Sequence, residues 1–110
     1  MKASNIPQAG PLNGVKVVLS GIEYAGPWAA QKMAEWGANV IWIENTKSGD
    51  TLRLQPTAEN DARNRRSIAL DCFSDEGREV LFKLIEDADI FIESSKGGTF
   101  ERKGLTDDVL

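Results

Sequence analysis

Residues 15–44 constrain the fold more tightly than any other stretch. They read Val15-Lys16-Val17-Val18-Leu19-Ser20, then Gly21-Ile22-Glu23-Tyr24-Ala25-Gly26-Pro27, then a helical run to Trp36-Gly37, then Val40-Ile41-Trp42-Ile43-Glu44. The run 15–19 is apolar except at Lys16, as expected of a strand covered on both faces, with the lysine snorkelling at a sheet edge. Pro27 suits a first helical turn, where its missing N–H costs nothing. Ala29, Met33 and Trp36 recur at i, i+4 and i+7 and predict one buried face, with Gln31, Lys32 and Glu35 mostly opposite. Gly37 is a good C-terminal cap. Strand, turn, helix and strand in this order pack as a right-handed crossover between parallel strands. The expected class is therefore α/β with a parallel sheet and flanking helices. Ligands of such sheets bind beyond the carboxyl ends of the strands, so residues 21–26 and those after Glu44 are the first candidates for function.

The rest of the chain extends the pattern. Residues 1–13 form a leader with two prolines, ahead of a unit spanning 14–110. Residues 45–64 have no sustained period, and a connection of that length in a compact domain is usually functional or disordered. Arg63-Asn64-Arg65-Arg66 then precedes an apolar run, 67–73, expected as a third strand. Ser74 caps the next helix, with Asp75 and Glu76 favourable in its first turn. Val80, Leu81, Leu84, Ile85 and Ala88 share its apolar face. Asp89-Ile90-Phe91-Ile92-Glu93 is a further strand, followed by the glycine-rich loop Ser94-Ser95-Lys96-Gly97-Gly98. At the end, Thr106 stands as an N-cap with Leu105 and Leu110 at hydrophobic-staple positions. The sequence announces a helix and stops within its first turn, which predicts an incomplete N-terminal portion of a larger domain.

Composition removes several function classes. The 110 residues suffice for one small domain. A net charge of −4 argues against nucleic acid as the main partner. No apolar run approaches the roughly 20 residues of a membrane span, and the first ten lack a signal-peptide core. A cytoplasmic location is the expectation. There is no histidine, which excludes Ser-His-Asp and Cys-His nucleophile systems and His-containing metal sites within this chain. The single Cys72 allows no internal disulfide and reads as a small buried hydrophobe.

Two places carry candidate chemistry. A dinucleotide fingerprint wants glycine at the first, third and sixth positions of the first turn, and here those are Gly21, Glu23 and Gly26. The missing glycine is the one that meets the pyrophosphate, although Glu44 imitates the acidic ribose contact. Ala25, Gly26 and Ala29 leave room for a ligand or another backbone against the helix start. The second place is basic. Arg63, Arg65 and Arg66 precede one strand, while Lys96, Arg102 and Lys103 follow another. Such clusters suit a phosphorylated ligand or are solvated surface. Lys96-Gly97-Gly98 lacks P-loop spacing, and no catalytic residue can be named from composition and spacing.

Over nearly the whole chain, apart from the leader and 57–66, the sequence resembles the family III CoA-transferases. The similar segments include Gly10-Pro11-Leu12, Val17-Val18-Leu19-Ser20-Gly21-Ile22-Glu23, Ala25-Gly26-Pro27, Ala34-Glu35-Trp36-Gly37-Ala38, Val40-Ile41-Trp42-Ile43-Glu44-Asn45, Asp75-Glu76-Gly77-Arg78-Glu79, and Asp89-Ile90-Phe91-Ile92-Glu93 with Ser95-Lys96-Gly97. The Glu-Trp-Gly-Ala and Ile-Trp-Ile-Glu-Asn versions point to the carnitine branch. The resemblance implies a Rossmann-like CoA-binding domain within an interlocked homodimer about four times this length. It implies CoA thioesters and small carboxylic acids as substrates, with no tightly bound cofactor and no metal. The nucleophilic aspartate is expected beyond Leu110, so none of the catalytic residues lies in this chain. CoA contacts are implied at Glu23 and Tyr24 by the thioester end. Leu70, Asp71, Cys72 and Phe73, with Ser94, Ser95 and Lys96, would flank adenosine and phosphates, and Arg102 and Lys103 would meet phosphate. Lys103 replaces an arginine of the carnitine branch and loses its planar fork. Some members carry arginine where Asn45 stands, and others lysine where Phe73 stands. The rivals are an NAD-binding domain and a non-catalytic scaffold or dimerisation module.

Overall fold

In the computed structural model, residues 9–21, 24–56 and 62–110 are described. Only 9–13 of the leader fall within them, and Glu23 lies outside. The elements in order are β1 (Lys16–Ser20), α1 (Ala25–Glu35), β2 (Asn39–Glu44), a 3₁₀ turn (Thr51–Leu54), β3 (Arg65–Ala69), α2 (Asp75–Glu86), β4 (Ile90–Glu93) and the short α3 (Thr99–Arg102). The four strands form one parallel sheet in the order β3-β2-β1-β4. Successive strands step outward from β1 on one side, and then β4 returns to its other side. That reversal opens a crevice at the carboxyl ends of the strands.

β1 is an inner strand, and its apolar run follows from cover on both faces. Val17 and Leu19 join Val40, Trp42, Ala30, Ala34 and Leu52 on the α1 side. Val18 joins Ile43, Cys72, Leu81, Phe100 and Leu105 on the other. Lys16 therefore marks the start of an inner strand and no sheet edge. Its Nζ lies 2.6 Å from Asp87 Oδ2 at the exposed amino end of the sheet.

The buried stripe of α1 differs from the expected one. Pro27, Ala30, Gln31 and Ala34 face the sheet, at i, i+3, i+4 and i+7, while Ala29 is exposed and Trp36 is 54% exposed. Small side chains let the helix axis come close to β1, and the large apolar residues are left on its flanks. Gln31 is buried and donates through Nε2 to Glu35 Oε1 at 3.2 Å. Gly37 follows the helix at φ +97°, a left-handed position that glycine takes without strain.

β3 begins two residues before the expected run and ends at Ala69, so Leu70-Asp71-Cys72-Phe73 is a connection and no longer strand. The expected Ser74 cap is present, with Gly77 N–H donating to Ser74 Oγ at 3.0 Å. At the end of the chain Leu110 N–H reaches the Thr106 carbonyl at 3.0 Å, the first turn that Thr106 announces. Among the described residues no helix is long and apolar enough to cross a membrane.

Candidate functional site

A cavity of about 340 Å³ lies at the carboxyl ends of the strands, at the lower end of the size range of small-molecule sites. The end of β1 supplies Ser20 and Gly21, and the end of β2 supplies Ile43, Glu44, Asn45, Thr46 and Lys47. The connection after β3 supplies Leu70 to Phe73. Ser95, Thr99 and Phe100 close the side next to β4.

The wall after β2 is held by one carboxylate. Glu44 is 5% exposed. Its Oε2 accepts from Arg53 Nε at 2.7 Å and from Asp50 N–H at 3.0 Å. Its Oε1 accepts from Arg53 Nη2 and from the Ser67 hydroxyl. A carboxylate has about four acceptor positions, and all are taken. Arg53 holds the carboxyl at a pKa of about 2, against the opposing effect of burial. Glu44 thus ties the loop after β2 to β3 and has no capacity left for a ribose hydroxyl. Asp50 caps the 3₁₀ turn by accepting from Leu52 N–H at 2.8 Å. Arg53 and Arg65 both lie over the buried Trp42 ring, 5.0 and 4.6 Å from its centroid. Asn45 Oδ1 accepts from Lys47 N–H at 2.8 Å and shapes the turn that carries Lys47.

The wall after β3 is held by glycine. A methyl at Gly77 would overlap the Asp71 carbonyl oxygen, so only glycine lets the first turn of α2 pack against the 71–74 turn. Asp71 Oδ1 accepts from Phe73 N–H at 3.0 Å, and the Ser74 hydroxyl donates to the Asp71 carbonyl at 3.0 Å. Phe73 is then left 37% exposed, edge-on to Phe100 at 5.5 Å between centroids. Lys103 Nζ lies 5.7 Å from its ring centroid. Cys72 is buried, and burial, with the Asp71 charge second, pushes its thiol up to about 11. It is an apolar lining group and no nucleophile at neutral pH.

The small residues of the first turn serve internal packing. Side chains at Gly21 or Gly26 would collide with Ser94, whose Oγ fills the space between them beside Ile92 and Pro27. The space left by Gly21 and Gly26 holds the end of β4 instead of a pyrophosphate. The two basic clusters also separate. Arg63 pairs with Glu35, which is held at about 2 chiefly by that contact, and Arg66 Nη2 donates to Asn39 Oδ1 at 2.6 Å. These partners lie at the amino end of the sheet, away from the cavity. In parallel strands, residues before one strand and after another sit at opposite ends, so Arg63 and Arg66 do not join Lys96, Arg102 and Lys103 around one ligand.

Of the residues singled out in the sequence, Gly21, Glu44, Asn45, Leu70, Asp71, Cys72, Phe73 and Ser95 line the cavity. Tyr24 is 51% exposed at the start of α1 and is not among the described lining residues. Ser94 points its hydroxyl beneath the first turn. Lys96 is exposed, and its carbonyl accepts from the Thr99 hydroxyl at 2.5 Å. Arg102 stands one step behind the wall, with Nη2 3.3 Å from Thr99 Oγ1. Thr46, Lys47, Thr99 and Phe100 are lining residues that the sequence did not single out. The first two sit directly after Glu44, where parallel-sheet ligands bind, and that position was their one signal. No group of three or more His, Cys, Asp or Glu capable of holding a metal occurs among the described residues.

Residues 12–110 match the sequence model of CoA-transferase family III. The fold is similar to the crystal structure of a hypothetical protein from Mycobacterium tuberculosis, with a TM-score of 0.83 and 30% identity, over 94% of this chain and 30% of that one. It is also similar to a CAIB/BAIF family protein from Brucella suis, with a TM-score of 0.83 and 34% identity, over 93% of this chain and 30% of that one. The chain thus spans about 30% of the length of these solved structures. With the family match running from residue 12 to residue 110 and the parallel sheet superposing at that level, the chain belongs to CoA-transferase family III.

Proposed function

We propose that this chain is the CoA-binding N-terminal part of a cytoplasmic enzyme that moves CoA between carboxylic acids of the carnitine type. The observation that carries this reading is the cavity at the carboxyl ends of β1, β2 and β3 in a chain of this family. It offers a half-exposed aromatic ring at Phe73, apolar lining at Leu70 and Cys72, and cations at Lys47 and, near the rim, Lys103. A mixed surface of that kind suits adenine, pantetheine and phosphate together. The saturated Glu44 and the occupied glycine turn both weigh against NAD.

In this reading the residues present bind and orient CoA. The attacking carboxylate belongs to chain beyond Leu110, where an aspartate takes the acyl group as a mixed anhydride with release of CoA thiolate. The thiolate then attacks the aspartyl carbonyl and frees the first acid. Lys96 and Arg102, on either side of Thr99, serve the 3′-phosphate, and Tyr24 serves the thioester end; Glu23, assigned to the same end by the family resemblance, is outside the described residues. The whole enzyme works as an interlocked homodimer. The branch signature in Glu35-Trp36-Gly37-Ala38 and Ile41-Trp42-Ile43-Glu44-Asn45 supports crotonobetainyl-CoA or γ-butyrobetainyl-CoA as donor and L-carnitine as acceptor.

Titration calorimetry of the full protein with CoA and with NAD tests the binding claim. Heat from CoA and none from NAD is expected, and NAD binding without CoA binding overturns it. Turnover of other acids with none of L-carnitine would remove the carnitine assignment alone.

A further inference from the structure

We infer that Arg78, in the first turn of α2, is a positioning residue of the cavity. It touches no ligand and acts by fixing the spacing between the two facing rings of the wall, Phe73 after β3 and Phe100 on α3. The inference rests on the CoA reading above and adds a residue that acts at a distance from the ligand.

Adjacent residues of α2 hold the two sides of that wall. Gly77 lies so close to the Asp71 carbonyl that a methyl would overlap it, and Arg78 N–H donates to the Ser74 carbonyl at 2.9 Å. This end of α2 is therefore seated on the turn that carries Phe73. The Arg78 side chain then reaches across to the other side, where Nη2 donates to the Lys103 carbonyl at 2.6 Å. Lys103 N–H and Leu105 N–H both donate to the Phe100 carbonyl, at 3.0 and 2.9 Å. The guanidinium thus caps the carbonyl end of α3 directly beyond Phe100, a place where helix carbonyls lack partners of their own. Phe73 and Phe100, both lining the cavity, meet edge-on at 5.5 Å between centroids.

Stability alone accounts poorly for this arrangement. Arg78 Nε is buried without an acceptor among the described residues, and none of the described ion pairs includes Arg78. The cost of a buried N–H without an acceptor offsets the gain from one charge-assisted bond to a carbonyl. What the contact leaves is placement: α3, and with it Phe100, is held at a set distance from the Phe73 turn.

The test uses the full protein, with CoA affinity measured by calorimetry and folding by thermal unfolding. The variants are Arg78→Met, Arg78→Lys, Phe73→Leu and the double variant Arg78→Met with Phe73→Leu. Arg78→Met is expected to fold and to weaken CoA about fivefold, and Arg78→Lys, which keeps a donor, to stay within about twofold of the wild type. In the Phe73→Leu background, Arg78→Met is expected to cost less than about twofold, because the ring that it positions is gone. A merely structural role would give the same loss in both backgrounds, and that result overturns the inference. Unchanged CoA affinity in Arg78→Met also overturns it and leaves the CoA reading standing. Arg78→Gln repeats the measurement where Arg78→Met does not fold, and loss of folding in both overturns the inference by making Arg78 a stability residue. Failure of the wild type to bind CoA overturns the reading beneath it and the inference with it.

Discussion

Replacing Glu44 with glutamine isolates the contact that ties the cavity wall to the sheet. The change keeps the side-chain shape and removes the charge that Arg53 Nε, Arg53 Nη2, Asp50 N–H and the Ser67 hydroxyl all address. The carboxyl is displaced from 4.5 to about 2 in the folded protein. At about 1.4 kcal/mol per unit, that corresponds to roughly 3 kcal/mol of folding stability. Arg53 is half exposed, so solvent screens the pair, and about 2 kcal/mol is the expected loss for Glu44→Gln at pH 7. The folded pKa is depressed, so the contribution is complete above the unfolded value of about 4.5 and fades as pH falls toward 2. Urea unfolding followed by tryptophan fluorescence reads this directly. With a slope of about 1–1.5 kcal/mol per molar urea, the midpoint moves down by roughly 1.5 M at pH 7, and the gap to wild type narrows steadily below pH 4. A loss under about 0.5 kcal/mol at pH 7 would refute the clasp. A deficit equal at pH 7 and pH 2.5 would show that the charge is not its source.

Gly77→Ala replaces glycine inside a helix, a change worth up to about 1 kcal/mol of stabilisation on propensity alone. Here the methyl meets the Asp71 carbonyl, and a net loss of about 2 kcal/mol or more in thermal or urea unfolding is expected. Gly21→Ala destabilises through Ser94 Oγ, so Ser94→Ala restores part of the loss in a double-mutant cycle. Gly26→Ala also meets Ser94 Cβ and Ile92, so the same partner change restores less. Equal rescue at both glycines would contradict that geometry. Replacing Lys96 and Arg102 together with alanine is expected to weaken CoA more than dephospho-CoA in calorimetry, and equal weakening would move the 3′-phosphate elsewhere.

The sheet was legible because β1 and β2 are apolar runs bounded by glycine, with a helix-length segment between them. The orientation of α1 was not, because a search for large apolar residues selects Met33 and Trp36. Close packing on β1 instead selects Pro27, Ala30 and Ala34. The limits of β3 were blurred at both ends. Arg65 and Arg66 hide its start, since their long side chains reach out to Pro27, Trp42 and Asn39 while the backbone pairs with β2. Leu70, Cys72 and Phe73 continue an apolar pattern past its end, because they line the cavity and the core beneath it. The basic segment 63–66 and the cations 96–103 were open to correction from topology alone. A five-residue parallel strand separates its ends by about 16 Å. The role of Glu44 was beyond the sequence, because its partners come from positions 50, 53 and 67 and meet only when the loop folds back over β3. Position after a strand did mark the neighbourhood of Thr46 and Lys47, and the fold was needed to show that both border the cavity.

A crystal structure of the full protein with CoA tests the central claim most directly. The account predicts ligand density between the 45–47 turn and the 70–73 connection, with the adenine or pantetheine against Phe73 and the 3′-phosphate toward Lys96 and Arg102. Density at the amino end of the sheet beside Arg63 and Arg66, or across the first turn in place of Ser94, would contradict it.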